Sequence, residues 1–332
     1  MTATTVDVKP ARSVRARGVA FTVVSKYGTL IAMAIMVVLF GILVPNGAFL
    51  SGSNLLNIVN QSALTAIISC GLTIVLVVGE FDLSIGYAAS LAGVLVTGLI
   101  VNQGVGVPFA ILITLAVGAL IGSANGLLVT KAGVNAVVAT LGVGTVLVGL
   151  SYGYTSGTPV VQVPESFTGL TLNRFLGLQN PIWFMVVILG VLWLLLNRTP
   201  LGQRIQAVGA NASAARLAGL RTDRAKIAAF VVAGLCSAAT GILLASLVGS
   251  GTVGAADSYL LNAFAAVFLG SATIRDGEFH IVGTLIGVLV VNVGFNGLSL
   301  LGTPTFWQYI FQGGILVLAV ALSSTFRRYA RR

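Results

Sequence analysis

Gly71-Leu-Thr-Ile-Val-Leu-Val-Val-Gly79 closes the run 57–79, 23 positions without one charged side chain. About 20 apolar residues in a helix cross the hydrocarbon core of a bilayer, so the run is long enough to span. The pattern returns at an offset of 170, where Gly241-Ile-Leu-Leu-Ala-Ser-Leu-Val-Gly249 closes the run 227–249. Apolar stretches also cover 27–44, 83–101, 107–128, 134–152, 181–197, 259–274, 281–301 and 306–322. Together they predict an all-α polytopic membrane protein with about ten spans. The stretches 83–101 and 259–274, rich in Gly and Ala, are the weakest of the ten and are compatible with a re-entrant course.

Composition agrees. Of the 332 residues 57% are hydrophobic and 8% charged, against about 25% charged in a soluble domain. So few charges cannot cover the outside of a soluble fold, and the apolar content excludes disorder. The 41 glycines suit close helix packing in lipid. A net charge of +10 would suggest nucleic acid in a soluble protein. In a membrane protein it follows from Lys and Arg retained in cytoplasmic loops, and no nucleic-acid partner is expected. Cys70 and Cys236 lie in apolar runs and read as packing residues. His280, the one histidine, stands at a span boundary with no Cys/His cluster around it, so no metal site is expected.

Charge also orients the chain. With the N-terminus inside, the segments 1–26, 80–82, 129–133, 198–226, 275–280 and 323–332 are cytoplasmic and carry 17 of the 18 Lys and Arg residues. The chain divides into a tail 1–26, a transmembrane domain 27–322 that includes the loop 198–226, and a basic tail 323–332. Asn125-Gly-Leu127 matches Asn296-Gly-Leu298 at an offset of 171, and Asp82 matches Asp257 at 175. Spans 2–5 thus resemble spans 7–10. The copies lie five spans apart, an odd number, so they have opposite orientations, as in the inverted repeats of transporters.

Asn54, Asn57, Gln61 and Thr65 follow at steps of 3, 4 and 4 and share one helical face. Asn292, Asn296 and Ser299 do the same in span nine, and Gln308 and Gln312 in span ten. Amides are costly in lipid and should face protein or water. With Asn125 these residues are the candidate pathway for a polar, neutral solute. The alternative for any one of them is interhelical hydrogen bonding, worth about 0.6 kcal/mol. Glu80 and Asp82 are the only carboxylates between Val8 and Pro164. They read as an ion-coupling site or as an interfacial turn in which Asp82 and Ser84 cap the next helix, and their place at a span boundary favours the cap. Asp276 and Glu278 beside Arg275 read as a solvated turn.

The loop 198–226 is the longest and most basic. Asn211 or Ser213 is placed to cap a short helix through Ala214, Ala215, Arg216, Leu217 and Ala218. Gly219 would stop it, and Asp223 would cap the next span. A short Ala-rich helix held on the cytoplasmic face reads as a docking element exposing little apolar surface, so its partner would supply a groove.

These residues carry a family resemblance. Gly79-Glu-Phe-Asp-Leu-Ser-Ile-Gly86, with Asp82, Leu83, Ser84 and Gly86 at its centre, resembles the Gly-Gly-Ile-Asp-Leu-Ser-Val-Gly signature of ribose-type ABC importer permeases. Thr199-Pro-Leu-Gly202, Ala207-Val-Gly-Ala-Asn211 (with Gly209) and Ala214-Ala-Arg-Leu-Ala-Gly219 are similar to their coupling loop. Gly283-Thr-Leu-Ile-Gly287, Asn296-Gly-Leu298 and Phe306-Trp307-Gln308 are similar to their C-terminal part. Glu80 and Phe81 stand where the family usually has Gly and Ile, and Ser271-Ala-Thr-Ile-Arg275 replaces a Gly-rich stretch. The resemblance implies a bacterial inner-membrane permease working as a pair, a homodimer by expectation. It implies cytoplasmic ATP-binding subunits that hold ATP and Mg, and an external solute-binding protein. The implied cargo is a pentose, hexose or polyol.

The sequence agrees with that division of labour. A phosphate-binding loop needs G-x-x-x-x-G-K-[ST], and none of Lys9, Lys26, Lys131 and Lys226 follows a glycine. No Ser-His-Asp set or paired carboxylates offer an active site, so the chain is expected not to be an enzyme. An ABC permease for branched-chain amino acids or nucleosides, or an ion-coupled secondary transporter, are the competing readings.

Overall fold

The structure, a computed structural model, describes residues 12–273 and 277–330. Thirteen α-helices carry the described chain: α1 (Arg12–Leu43), α2 (Gly52–Val77), α3 (Ile85–Val101), α4 (Val107–Thr130), α5 (Ala136–Thr155), α6 (Glu165–Leu172), α7 (Asn180–Arg198), α8 (Pro200–Ala210), α9 (Ala212–Leu217), α10 (Thr222–Val248), α11 (Ser258–Ser271), α12 (Ile281–Leu300) and α13 (Phe306–Ala330). One hairpin, β1 (Arg174–Phe175) and β2 (Leu178–Gln179), lies between α6 and α7. Six of these helices, α2, α4, α5, α7, α10 and α12, are long and apolar enough to cross a membrane. Tyr27–Leu43, Ile85–Val101, Ser258–Ser271 and Phe306–Leu318 are shorter apolar helices. The chain is a polytopic all-α membrane protein. Helix α1 begins at Arg12, within the expected tail 1–26, and α13 continues to Ala330, through most of the expected tail 323–332, while their apolar parts are Tyr27–Leu43 and Phe306–Leu318.

Lipid tails are as apolar as leucine, so helices in a bilayer associate by close van der Waals contact. The contact of α10 with α4 is built that way. Gly118, Gly122 and Gly126 repeat every four residues along one side of α4. A Cβ at Gly122 would fall on the Phe230 carbonyl of α10, and one at Gly234 of α10 on the Gly118 carbonyl. The two backbones touch, and α10 in turn packs on α3 and α2. The hydrophobic core runs through α2 and α10, whereas α4, α5 and α7 turn residues such as Leu112, Leu120, Val138 and Val187 outward.

Helices α3 and α11 begin inside this bundle. Glu80, just past the end of α2, pairs with Lys226 near the start of α10. Ala89 of α3, by contrast, lies against Gly241, far along α10. Four residues earlier, Ile85 is level with about residue 237. The chain from Glu80 to Ile85 therefore advances about 16 Å along α10, eleven residues at about 1.5 Å each. Five residues cover that distance only when extended, at about 3.3 Å per residue, and residues 80–83 are indeed neither helix nor strand. Gly79, with φ +91°, ends α2 and starts this stretch. On the other side, Gly251 touches Thr97 and Gly93 of α3, while Ala256 and Asp257 reach back to Gly86 and Ser90. The chain thus re-enters by about 10 Å, seven residues of α3. The two stretches flagged as weakest are α3 and α11, of 17 and 14 residues, each preceded by non-helical backbone within the bundle.

Candidate functional site

The extended stretch carries the Asp-Leu-Ser motif into the protein. Asp82 is 1% exposed, and its Oδ1 accepts from the Ser84 backbone N–H at 2.8 Å and from its hydroxyl at 2.6 Å. Ser84 Oγ accepts from Asn125 Nδ2 of α4 at 2.8 Å, and the Leu83 N–H donates to Thr140 Oγ1 of α5 at 3.0 Å. The motif ties α4 and α5 to the start of α3. The expected cap is corrected here: Ser84 occupies the N-cap position of α3 but makes no side-chain capping bond, and Asp82 closes a local turn instead. The interfacial position is corrected too, because extended backbone draws Asp82 inward. Gly86 opens α3 where a Cβ would sit 3.1 Å from the Asp257 carbonyl. Asp257 Oδ1 accepts from Ser90 Oγ at 2.7 Å, so each of the two short helices starts beside an aspartate bonded to a serine of α3 or its approach.

The two departures from the signature have partners. Glu80 accepts from Lys226 Nζ at 2.5 Å, and Phe81 stacks on Phe264 of α11 with ring centroids 6.3 Å apart. Glu80 is thus one half of an ion pair between the exit of α2 and the entry of α10. Nearby, Lys131 Nζ donates to Asp223 Oδ2 at 2.7 Å. That bond holds the Asp223 carboxyl below its usual range. Asp223 lies in the first turn of α10 without capping it, which corrects the expected cap. The turn around Arg275 and Asp276 lies outside the described residues.

The candidate pathway residues fall into three groups. Asn57 and Gln61 are exposed on α2, with Gln61 Nε2 donating to Asn57 Oδ1 at 3.3 Å. Gln308 is half-buried on α13. Thr65, Asn292 and Asn296 are buried. Asn296 and Asn54 exchange a reciprocal amide pair, 2.9 Å each way, and Asn292 Nδ2 donates to the Val288 carbonyl at 3.0 Å. Asn125 stands apart from these, fully buried at the signature motif. Gln312 donates to Asn262 Oδ1 at 2.7 Å and joins α13 to α11.

The loop 198–226 folds into two helices, of which sequence reading anticipated one. Thr199 caps α8, its hydroxyl accepting from the Gly202 N–H at 3.1 Å, and Pro200 occupies the first turn. Gly202, Ile205 and Val208 bury one face, a spacing of three that marks an amphipathic helix and was legible in the sequence. Gly209 follows on the same side, and a Cβ there would fall on the Val77 carbonyl at the end of α2. Asn211 caps α9 by accepting from the Ala214 N–H at 3.0 Å, and Gly219 adopts φ +82° beyond it. Residue directions within α9 differ from expectation. Ala215 is 6% exposed and faces the chain, while Leu217 is 91% exposed. Ala214, Arg216 and Gly219 are also exposed. The expected low apolar exposure is therefore corrected: α9 presents one large apolar side chain to its surroundings.

Residues 54–320 match the family model described as "Branched-chain amino acid transport system / permease component". The ribose import permease protein of Bacillus subtilis is 39% identical over 302 residues, covering 90% of this chain and 93% of that one. The ribose import permease protein of Escherichia coli K12 is 35% identical over 89% and 92% of the two chains. The xylose transport system permease protein of the same strain is 31% identical over 90% and 92%. No solved structure matches the chain. The matched range 54–320 takes in the Asp-Leu-Ser motif, the loop 198–226 and the amide-bearing helices alike, so this chain belongs to the family of transport permease components that includes the ribose and xylose import permeases.

Proposed function

We propose that the chain is the membrane subunit of a binding-protein-dependent importer that carries a small neutral monosaccharide. A separate subunit hydrolyses ATP, and the neutral face formed by Asn57 and Gln61 lines the route. The observation that carries this reading is the likeness, over about 90% of the chain, to permeases named for ribose and xylose, at 31–39% identity. The family description mentions branched-chain amino acids, but the relatives quoted above are named for sugars. Its work is done with a pair of permease subunits, ATP-binding subunits holding ATP and Mg, and an external solute-binding protein. Measured uptake of labelled ribose and xylose, with and without the gene, tests the cargo. Failure to take up any pentose, hexose or polyol while leucine enters would overturn it.

Ten spans in an inverted repeat fit the geometry. The internal starts of α3 and α11, one in each half, support this reading, because discontinuous helices in corresponding positions mark inverted-repeat transporters. Both termini and the loop 198–226 are then cytoplasmic. A cysteine at Ser213 is expected to resist an impermeant thiol reagent applied to intact cells, and one at Ser166 to react. Both native cysteines are buried, so background labelling stays low. The reverse pattern would invert the topology.

The amides divide by role. Asn57→Leu is expected to cut uptake at least tenfold at normal expression, since its side chain is exposed on the proposed route. Asn296→Leu instead leaves the Asn54 Oδ1 without its donor, while Asn54 Nδ2 keeps its bond to the Phe49 carbonyl. An unpaired acceptor of this kind costs about 1–3 kcal/mol, and the variant should lower expression and melting temperature together. Equal, purely structural losses in both variants would remove Asn57 from the route.

A further inference from the structure

Arg204 of α8 and Arg221 and Arg224 at the entry of α10 line one cleft of about 300 Å³, together with Leu201, Gly219, Leu220 and Ala225. None of the three arginines has an ion pair among the described residues. The loop 198–226 holds one carboxylate, Asp223, and it is turned away to Lys131. No side chain caps α10, whose N-cap position is Arg221 itself, so the positive end of a 27-residue helix opens beside the same cleft. Guanidinium groups match phosphate in geometry, each offering two parallel N–H donors. The remaining lining, Leu201, Leu220 and Ala225, is apolar.

We propose that this cleft binds the phosphodiester headgroup of an anionic phospholipid. Its position favours lipid over a soluble anion. Arg224 and Ala225 are followed by Lys226, which is paired with Glu80, and then by the charge-free part of α10, and Leu201 follows α7 by three residues. The arginines thus sit where two apolar helices leave the membrane, and basic pockets at such places recruit anionic headgroups. A leucine-lined wall suits the first methylenes of an acyl chain, which inorganic phosphate lacks. The cleft shares Gly219 with the end of α9, so an occupying headgroup would fix the coupling loop against the span below it.

Native mass spectrometry of the full-length permease, with phosphatidylglycerol and phosphatidylcholine in separate titrations, tests the proposal. Phosphatidylglycerol is expected to bind at low micromolar concentration and phosphatidylcholine not to compete. Each basic residue near an anionic surface contributes about fivefold in affinity, and three together more than a hundredfold. The triple variant R204Q/R221Q/R224Q should lose phosphatidylglycerol by that factor at an unchanged melting temperature, whereas R204K/R221K/R224K should retain most of it. Inorganic phosphate in large excess should not displace the lipid, and displacement would make the site one for free phosphate. Unchanged lipid binding in the glutamine variant would overturn the proposal. So would intact lipid binding combined with lost ATPase association, which would make the arginines a protein contact.

Discussion

Leu217→Asp is expected to abolish solute uptake while the protein still reaches the membrane. Leu217 is 91% exposed at the end of α9, where the residues 211–219 are otherwise Asn, Ala, Ser, Arg and Gly. An apolar side chain of that size gains by burial about 1.5–3 kcal/mol, and on the proposed docking a groove on an ATP-binding subunit would supply the burial. Truncated interface anchors commonly cost 2 kcal/mol or more, about thirtyfold in affinity, and aspartate adds the cost of desolvating a charge. The ATPase should therefore fail to co-purify with the variant, and solute-stimulated ATP hydrolysis should vanish in the reconstituted complex. The fold should not suffer, because the side chain touches little of its own chain. Ala215→Trp provides the contrast. Ala215 is buried against the bundle, so tryptophan there should lower expression and melting temperature before any question of docking arises. Normal uptake and normal ATPase association in Leu217→Asp would dismiss α9 as the docking element.

The difference between Leu217 and Ala215 shows where sequence reading reached its limit. The cap at Asn211 and the stop at Gly219 are local, and both are found where the pattern places them. Which side of a six-residue helix faces the bundle depends on what it packs against, and its own sequence does not carry that information. The spans were legible for the opposite reason. A charge-free run such as 57–79 has one low-energy environment, and α2 occupies nearly that range. Asp82 misled because hydropathy along a chain has no coordinate for depth. A carboxylate between two apolar runs looks interfacial, yet the extended backbone from Glu80 to Ile85 draws it inward to where Ser84 and Asn125 satisfy the motif. The helix α8 was missed because Arg204 and Gln203 break the apolar run, although Gly202, Ile205 and Val208 keep helical spacing.

On the proposed reading, transport driven from outside the membrane subunit needs a mechanical route from the docking loop to the solute path, and the close approach of Gly209 to the end of α2 offers one. The backbone of α8 touches the Val77 carbonyl at the end of α2, and the next residues of the chain are Gly79, the Glu80 and Lys226 ion pair and the buried Asp82 motif that begins α3. If α9 is the docking element, as proposed, a push on it would pass through α8 to the stretch of backbone that links α2 to α3. Gly209→Val should break this relay, because a side chain at that position has no place except into the Val77 carbonyl. Overpacking of this kind costs about 1–3 kcal/mol, which a large membrane domain survives, so the variant should be made and should still bind the ATPase through Leu217. Uptake is expected to fall at least tenfold while ATP hydrolysis continues without response to solute. Gly219→Ala is the control on the same loop. Its strain comes from φ +82° alone, with open space around the new methyl, so it should lower stability by about 1 kcal/mol and leave uptake per molecule unchanged. Loss of ATPase association in Gly209→Val would place Gly209 in the docking surface instead. Full, solute-stimulated uptake in that variant would mean that the force reaches α3 by another path, through α10, where Lys226 and Asp223 meet Glu80 and Lys131.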